Sequence, residues 1–383
     1  MGMIVVLALG GGIYYGLGFH NSILSDISFL FKIQYLEKLI ETYYLEEAEE
    51  TLMEEGIYTG MLNSLGDPYS RYYTAQQYEA ELSSTEGHYV GLGILMQKNP
   101  DGGVLIVECY EGSSAEEVGL KAGDVITKVG GTELGDLGLD EVSDLIHATE
   151  DNRVELTISR EELEEELSVS VVLRDIEVKS VFPEMLEDNI GYIRISEFSG
   201  VTEKQYQAAF AELKEQGMEK LIVDLRNNPG GMLHTVCDIL DAMLPEGILV
   251  YTEDKYGNRE EIHSDAKQPL SIPLVVLVNE NSASASEIFA GAIQDYEAGV
   301  IVGTQTYGKG IVQAVRSLSD GSAVKLTISK YYTPKGNDIH HVGITPDEEV
   351  HLDSEALYLQ EISREEDWQL QKAKEILAKM YGI

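Results

Sequence analysis

Residues 274–295 read LVVLVNENSASASEIFAGAIQD. The first five, Leu274–Val278, form a short apolar run of valine and leucine with no polar alternation. That is the pattern of a strand buried on both faces of a sheet. From Ser284 to about Asp295 the pattern becomes helical. Leu221–Leu225 is a second such run, followed by a helix from about Leu233 to Leu244, and Ile190–Ile195 precedes a helix over Glu203–Gln216. Strands alternating with helices predict a mostly parallel sheet covered on both faces, so residues 176–352 read as an α/β core.

The flanking segments differ in character. Residues 87–175 carry short strands and glycine-rich turns. Tyr89–Ile94 reads as one strand, Val104–Val107 as another, and Leu139–Ala148 as a helix. Residues 21–86 are helical, with Phe31, Tyr35, Leu36, Leu39 and Ile40 at three- and four-residue spacing, broken by the turn Gly66-Asp-Pro68. Residues 353–383 read as helical again. Residues 1–20 contain the uncharged run Met3–Phe19, near the lower length limit for a membrane span, which predicts a membrane anchor or an uncleaved signal segment. The chain beyond such an anchor would be extracytoplasmic, in the cell envelope.

The chain has 383 residues, 43% hydrophobic and 25% charged, which suits a multidomain globular protein. Its formal net charge is −40, a field that repels nucleic acid. The two cysteines, Cys109 and Cys237, exclude a disulfide scaffold or a CxxC metal site and read as small buried residues.

The turn after Val278 carries Ser282, Ser284 and Ser286. A serine between strand and helix sits where orphan helix N–H groups and the positive dipole end meet a developing oxyanion. On composition alone, packing and capping explain all three better than a nucleophile does. Gly303-Thr-Gln-Thr-Tyr-Gly-Lys309 approaches a phosphate-binding loop, but Gly310 stands where Ser or Thr would hold Mg²⁺, and a strand pattern follows. Lys309 has another use. A buried lysine can lose its charge and act as a general base toward a serine. No metal site and no cofactor are expected. His340 and His341 are adjacent in sequence and have no third ligand partner.

Residues 87–174 resemble a PDZ domain, through Gly91-Leu-Gly-Ile94, Glu111–Leu120 and Lys121-Ala-Gly-Asp-Val-Ile126. Successive N–H groups over Gly91, Leu92, Gly93 and Ile94 would form a nest for a peptide's terminal carboxylate, and the next strand edge would take the peptide by strand addition. Over more than nine-tenths of its length the chain is similar to the C-terminal processing peptidases, the tail-specific proteases. The matching segments are NENSASASE (279–287), TYGKGIVQ (306–313), DLRNNPGG (224–231), VKLTISKYYTP (324–334) and GITPD (343–347). The resemblance implies a crotonase-like α/β core with an inserted PDZ domain and helical regions at both ends. It implies a serine endopeptidase acting near apolar C-terminal tails through a Ser–Lys dyad. Ser284 would be the nucleophile, Lys309 the base and Gln313 the residue orienting the amine. The oxyanion hole would combine Ala285 with Gly230 or Gly231. Homodimerisation is a further expectation of the family.

The chain departs from the family pattern at Ile146–Arg153, which lacks the usual Gly/Lys-rich turn, and in its strong acidity. The competing class is a catalytically silent PDZ scaffold. Ser284, Lys309 and Gln313 are all retained, and a degenerate core would lose at least one of them.

Overall fold

The computed structural model describes residues 27–110, 112–148, 151–163, 165–265, 269–352 and 364–380. The expected anchor at residues 1–20 lies outside these. Among the described residues no helix is long and apolar enough to cross a membrane. The chain divides into two compact units between Thr74 and Ala75.

In the first unit, α1 (Ile27–Tyr43) and α2 (Glu50–Asn63) bury none of their residues, and an apolar groove lined by Ile33, Leu36, Ile40, Met53 and Ile57 has a volume of about 440 Å³. The sequence predicts helix on either side of the turn at Gly66-Asp-Pro68, but β1 (Arg71–Tyr73) is a strand just after it. The Asp67 carboxylate explains the change. It accepts from the Tyr69 N–H (3.0 Å) and the Ser70 hydroxyl (2.6 Å), closing a turn that the helix cannot continue through.

The second unit begins with α3 (Ala75–Glu86). The expected single strand over Tyr89–Ile94 is two strands in different sheets, β2 (His88–Gly91) and β3 (Ile94–Lys98). Gly93 makes the break. Its φ is +80°, and a Cβ there would lie 2.2 Å from that of Ser113. The domain continues through β4 (Val104–Cys109), α4 (Ser114–Glu117), β5 (Val125–Val129), β6 (Thr132–Glu133), α5 (Leu139–His147), β7 (Arg153–Ser159) and β8 (Leu167–Val172). Its sheet order is β3-β4-β5-β7-β8, with β6 on β5. Alternate residues of β7, namely Val154, Leu156 and Ile158, fill its core. The chain leaves through β9 (Arg174–Glu177), which pairs with β2.

The larger core holds β10 (Val181–Leu186), β11 (Ile190–Ile195), α6 (Thr202–Glu215), β12 (Lys220–Asp224), α7 (Leu233–Asp241), β13 (Gly247–Asp254), β14 (Arg259–Ser264), β15 (Leu274–Val278), α8 (Ala285–Asp295), β16 (Val300–Gly303), β17 (Ile311–Ser317), β18 (Ala323–Tyr332), β19 (Glu348–Glu349) and α9 (Trp368–Met380). Its main sheet runs β10-β11-β12-β15-β16-β19 and is parallel from β11 to β19. The uniform apolar run of β15 now has its reason. Leu274, Val276 and Val278 face the cluster that includes Ile288 and Phe289 of α8, whereas Val275 and Leu277 face Leu370, Ala373 and Leu377 of α9. Cys237 of α7 is buried as expected, and that burial pushes its thiol pKa up to about 12, whereas Cys109, at the end of β4, is only half-buried. A second, antiparallel layer pairs β18 with both β13 and β17, and β13 with β14.

Candidate active site

Two of the three competing serines are structural. Ser282 and Ser286 are fully buried. The Ser282 hydroxyl donates to the Leu225 carbonyl (2.8 Å) and that of Ser286 to the Asn228 carbonyl (3.0 Å). Both stitch the serine turn to the 224–231 turn beside it. Ser284 differs. It caps α8 and lines a cavity of about 390 Å³. Its φ of +53° is a region that costs a non-glycine residue about 1–3 kcal/mol and persists only where the surroundings impose it.

Glu287 imposes it. This fully buried residue lies one turn into α8. Its Oε2 accepts from the Ser284 N–H and the Lys309 N–H, both at 2.8 Å. Its Oε1 accepts from the Thr306 hydroxyl (2.6 Å) and the Gly308 N–H (2.7 Å). One carboxylate therefore ties the serine turn to the lysine loop, which lie far apart in sequence. Sequence reasoning missed this residue, although Ser284-Ala-Ser-Glu287 has the S-x-x-E spacing of a capping box.

Lys309 lines the same cavity as Ser284, together with Gln313 of β17. The Tyr331 hydroxyl donates to the Lys309 carbonyl. Gly308 and Gly310 allow the loop to lie against the backbone of residues 339–343, where a Cβ on Gly310 would meet the His340 nitrogen at 2.4 Å. The His341 N–H donates to the Gly308 carbonyl (2.8 Å), so the two histidines back the lysine loop with their main chain. Gln313 donates to the Thr327 hydroxyl at 3.3 Å, which fixes its side chain beside the cavity.

The two candidate oxyanion glycines have different surroundings. The Gly230 N–H donates to Asn228 Oδ1 (2.8 Å), and a Cβ there would lie 2.7 Å from that of Ser284 and 2.9 Å from the Ala285 nitrogen. Gly231 and Ala285 both line the cavity. Gly230 is thus the close-approach residue that lets the turn reach Ser284. Gly230→Ala, at a φ of +106° with backbone on its open side, is expected to lower turnover by at least ~10²-fold, read from initial rates on a peptide substrate.

Gly91–Ile94 does not line this cavity. It forms the turn between β2 and β3, where the Leu92 carbonyl accepts from Ala115 (3.0 Å) and the Gly93 carbonyl from Tyr110 (2.9 Å). His147, at the end of α5, places Nε2 2.9 Å from the Val90 carbonyl, holding that helix to the chain entering the turn.

A serine strained at a helix N-terminus, with a lysine in the same cavity and a PDZ domain on the same chain, is the build of a serine protease. The family models agree. Residues 189–350 match peptidase family S41, residues 105–160 a PDZ domain and residues 20–77 the N-terminal domain of the activating protease CtpB. The carboxyl-terminal-processing protease of Synechocystis sp. is 37% identical over 325 residues, spanning 83% of this chain and 75% of that protein. A CtpA-like serine protease of Staphylococcus aureus is 36% identical over 326 residues, 84% of this chain and 65% of that one. The chain thus spans between about two thirds and three quarters of the length of these relatives. A solved S41 protease from Bacteroides fragilis shares the fold, with a TM-score of 0.51 at 19% identity over 90% of this chain and 97% of that one. The chain belongs to the carboxyl-terminal-processing proteases of peptidase family S41.

Proposed function

We propose that this chain cleaves proteins near apolar C-terminal tails through a Ser284–Lys309 dyad. The observation that carries the proposal is the Glu287 carboxylate, which holds both residues at one cavity. The Lys309 amine takes the Ser284 proton as Oγ attacks the scissile carbonyl. The resulting oxyanion meets the N–H groups of Gly231 and Ala285. Gly231 is favoured over Gly230 because the Gly230 N–H already serves Asn228. The protonated lysine then gives its proton to the leaving amine, and the acyl-enzyme is hydrolysed by water with the lysine again as base. Gln313 orients the amine from β17. Apolar neighbours in the cavity, among them Met232, Leu233 and Ile288, suit apolar side chains of the substrate.

The PDZ turn Gly91–Ile94 captures the terminal carboxylate, and the tail pairs with β3 as an added strand. The exposed apolar residues of α1 and α2, such as Phe31, Tyr35 and Leu36, suit a homodimer contact. An N-terminal anchor would place the enzyme at a membrane, on its extracytoplasmic side.

The test is cleavage of a protein ending in an apolar tail, with that tail free or amidated. Loss of a charged hydrogen-bonding partner is worth about 1.5–3 kcal/mol, so amidation is expected to raise KM roughly tenfold or more. Equal cleavage of both tails would remove the carboxylate from the account. Light scattering on the purified chain reads the dimer directly.

A further inference from the structure

The turn that carries Gly231 is held directly by the Phe198 backbone, whose N–H donates to the Gly230 carbonyl (2.8 Å), and by three further sets of bonds, of which two belong to the serine side of the sheet. Asn227 is bonded to Asn279 and Asn281, and Asn228 to Ile195, Ala283 and Ser286. The third hold comes from the opposite face. Arg226 extends toward the start of α9, which packs on the face of the sheet away from α8. All five of its N–H donors are used. Nε bonds Asp224 (3.0 Å), Nη1 bonds Asp367 Oδ1 (2.9 Å) and Gln369 (3.1 Å), and Nη2 bonds Asp224 (2.6 Å) and Asp367 Oδ2 (2.9 Å). Tyr192 adds a hydroxyl bond to Asp224 at 2.6 Å.

The cluster is buried, with Asp224 and Asp367 at 1% and 7% exposure. Burial would lower the pKa of the guanidinium, but the two carboxylates raise it above its ordinary value. Asp224 and Arg226 are two residues apart and already paired, so Asp367 adds no local pairing that the turn lacks. What it adds is a fixed point outside the turn. A bidentate Arg–carboxylate pair fixes direction as well as distance. A misplacement of about 1 Å can cost on the order of 10² in rate.

We infer that Asp367, from the C-terminal helical region, is a positioning residue for the oxyanion hole, acting through Arg226 on the turn that ends at Gly231. The inference rests on the oxyanion role given to that turn above. It makes the C-terminal region a requirement for turnover although none of its described residues lines the cavity. Asp367 also accepts from the Leu370 N–H (3.0 Å), so it caps α9, and asparagine preserves that cap. Asp367→Asn therefore removes the charge and one guanidinium acceptor while leaving Arg226 paired with Asp224.

The experiment measures kcat, KM and inhibition by a peptide aldehyde, whose adduct with the serine carries the oxyanion, for the wild type, Asp367→Asn, Asp367→Glu and Leu370→Ala. For Asp367→Asn, kcat is expected to fall on the order of tenfold, with aldehyde affinity falling by the same factor and KM unchanged. Asp367→Glu, which keeps the charge, should recover part of both. Leu370→Ala loosens α9 without touching the ion pair. It should lower Tm while leaving kcat unchanged at temperatures well below the melt. The inference is overturned if Asp367→Asn matches the wild type, if kcat falls without the aldehyde affinity, or if Leu370→Ala loses kcat as fully as Asp367→Asn. Failure of the underlying reading looks different, because the wild type itself would then show no Ser284-dependent cleavage.

Discussion

Ser284→Ala is expected to reduce cleavage of a tailed substrate by roughly 10⁶-fold while leaving tail binding within about twofold. The size follows from the geometry. Ser282 and Ser286 cannot substitute, because both hydroxyls are buried and committed to backbone carbonyls. Only Ser284 opens onto the cavity that Lys309 lines. The variant should fold at least as well as the wild type, since its hydroxyl is not part of the Glu287 network; that network uses the Ser284 N–H, which alanine keeps. Near-full loss of activity at unchanged Tm is therefore the expected pairing. Activity above a hundredth of the wild type would point to another nucleophile.

Glu287→Gln is the second large effect, and it should strike stability and activity together. Each carboxylate oxygen accepts two hydrogen bonds, and the amide of glutamine must turn its NH₂ toward one of those pairs. Facing Oε2's partners, it would meet the N–H groups of Ser284 and Lys309. Facing Oε1's partners, it would meet Thr306, whose hydroxyl can rotate, and the Gly308 N–H, which cannot. Even the better arrangement leaves a buried backbone donor without an acceptor, which costs about 1–3 kcal/mol, and the remaining bonds lose their ionic strength. A loss of about 3–5 kcal/mol in stability is expected, from one orphaned buried donor together with the weakening of the remaining hydrogen bonds once the charge is gone. Turnover should fall at least ~10²-fold because the released atom, Gly308 N, is the neighbour of the base. Denaturant titration and initial rates check the two halves. A variant that melts and turns over like the wild type would show that the carboxylate does not hold the site.

The α/β core was legible because its strands are buried on both faces. A run such as Leu274–Val278 admits few other readings, and the structure gives its alternate residues to two separate clusters. The antiparallel layer of β13, β14, β17 and β18 was not ordered from sequence, because half-exposed strands such as β17 acquire their register only from their partners. The strand Arg71–Tyr73 was hidden inside a helical pattern, and the break at Gly93 inside an apolar one. Ser284, Lys309 and Gln313 were placed by family resemblance and are gathered at one cavity. Asp367 left no local signal. Its partner Arg226 is 141 residues away, and nothing near position 367 announces that a guanidinium must be met there. Glu287 had a signal, the S-x-x-E spacing, but that spacing is so common at helix starts that its second task could not be read from it.

The most direct test of the Ser284–Lys309 site is covalent labelling. The wild type, Lys309→Ala and Ser284→Ala would each be treated with a fluorophosphonate, followed by intact mass and peptide mapping. One adduct per chain is expected in the wild type, on Ser284, slowed by orders of magnitude in Lys309→Ala and missing from Ser284→Ala. Equal labelling of the wild type and Lys309→Ala, or no labelling of a folded wild type that still binds a tail, would contradict the dyad and leave a peptide-binding scaffold in place of the protease.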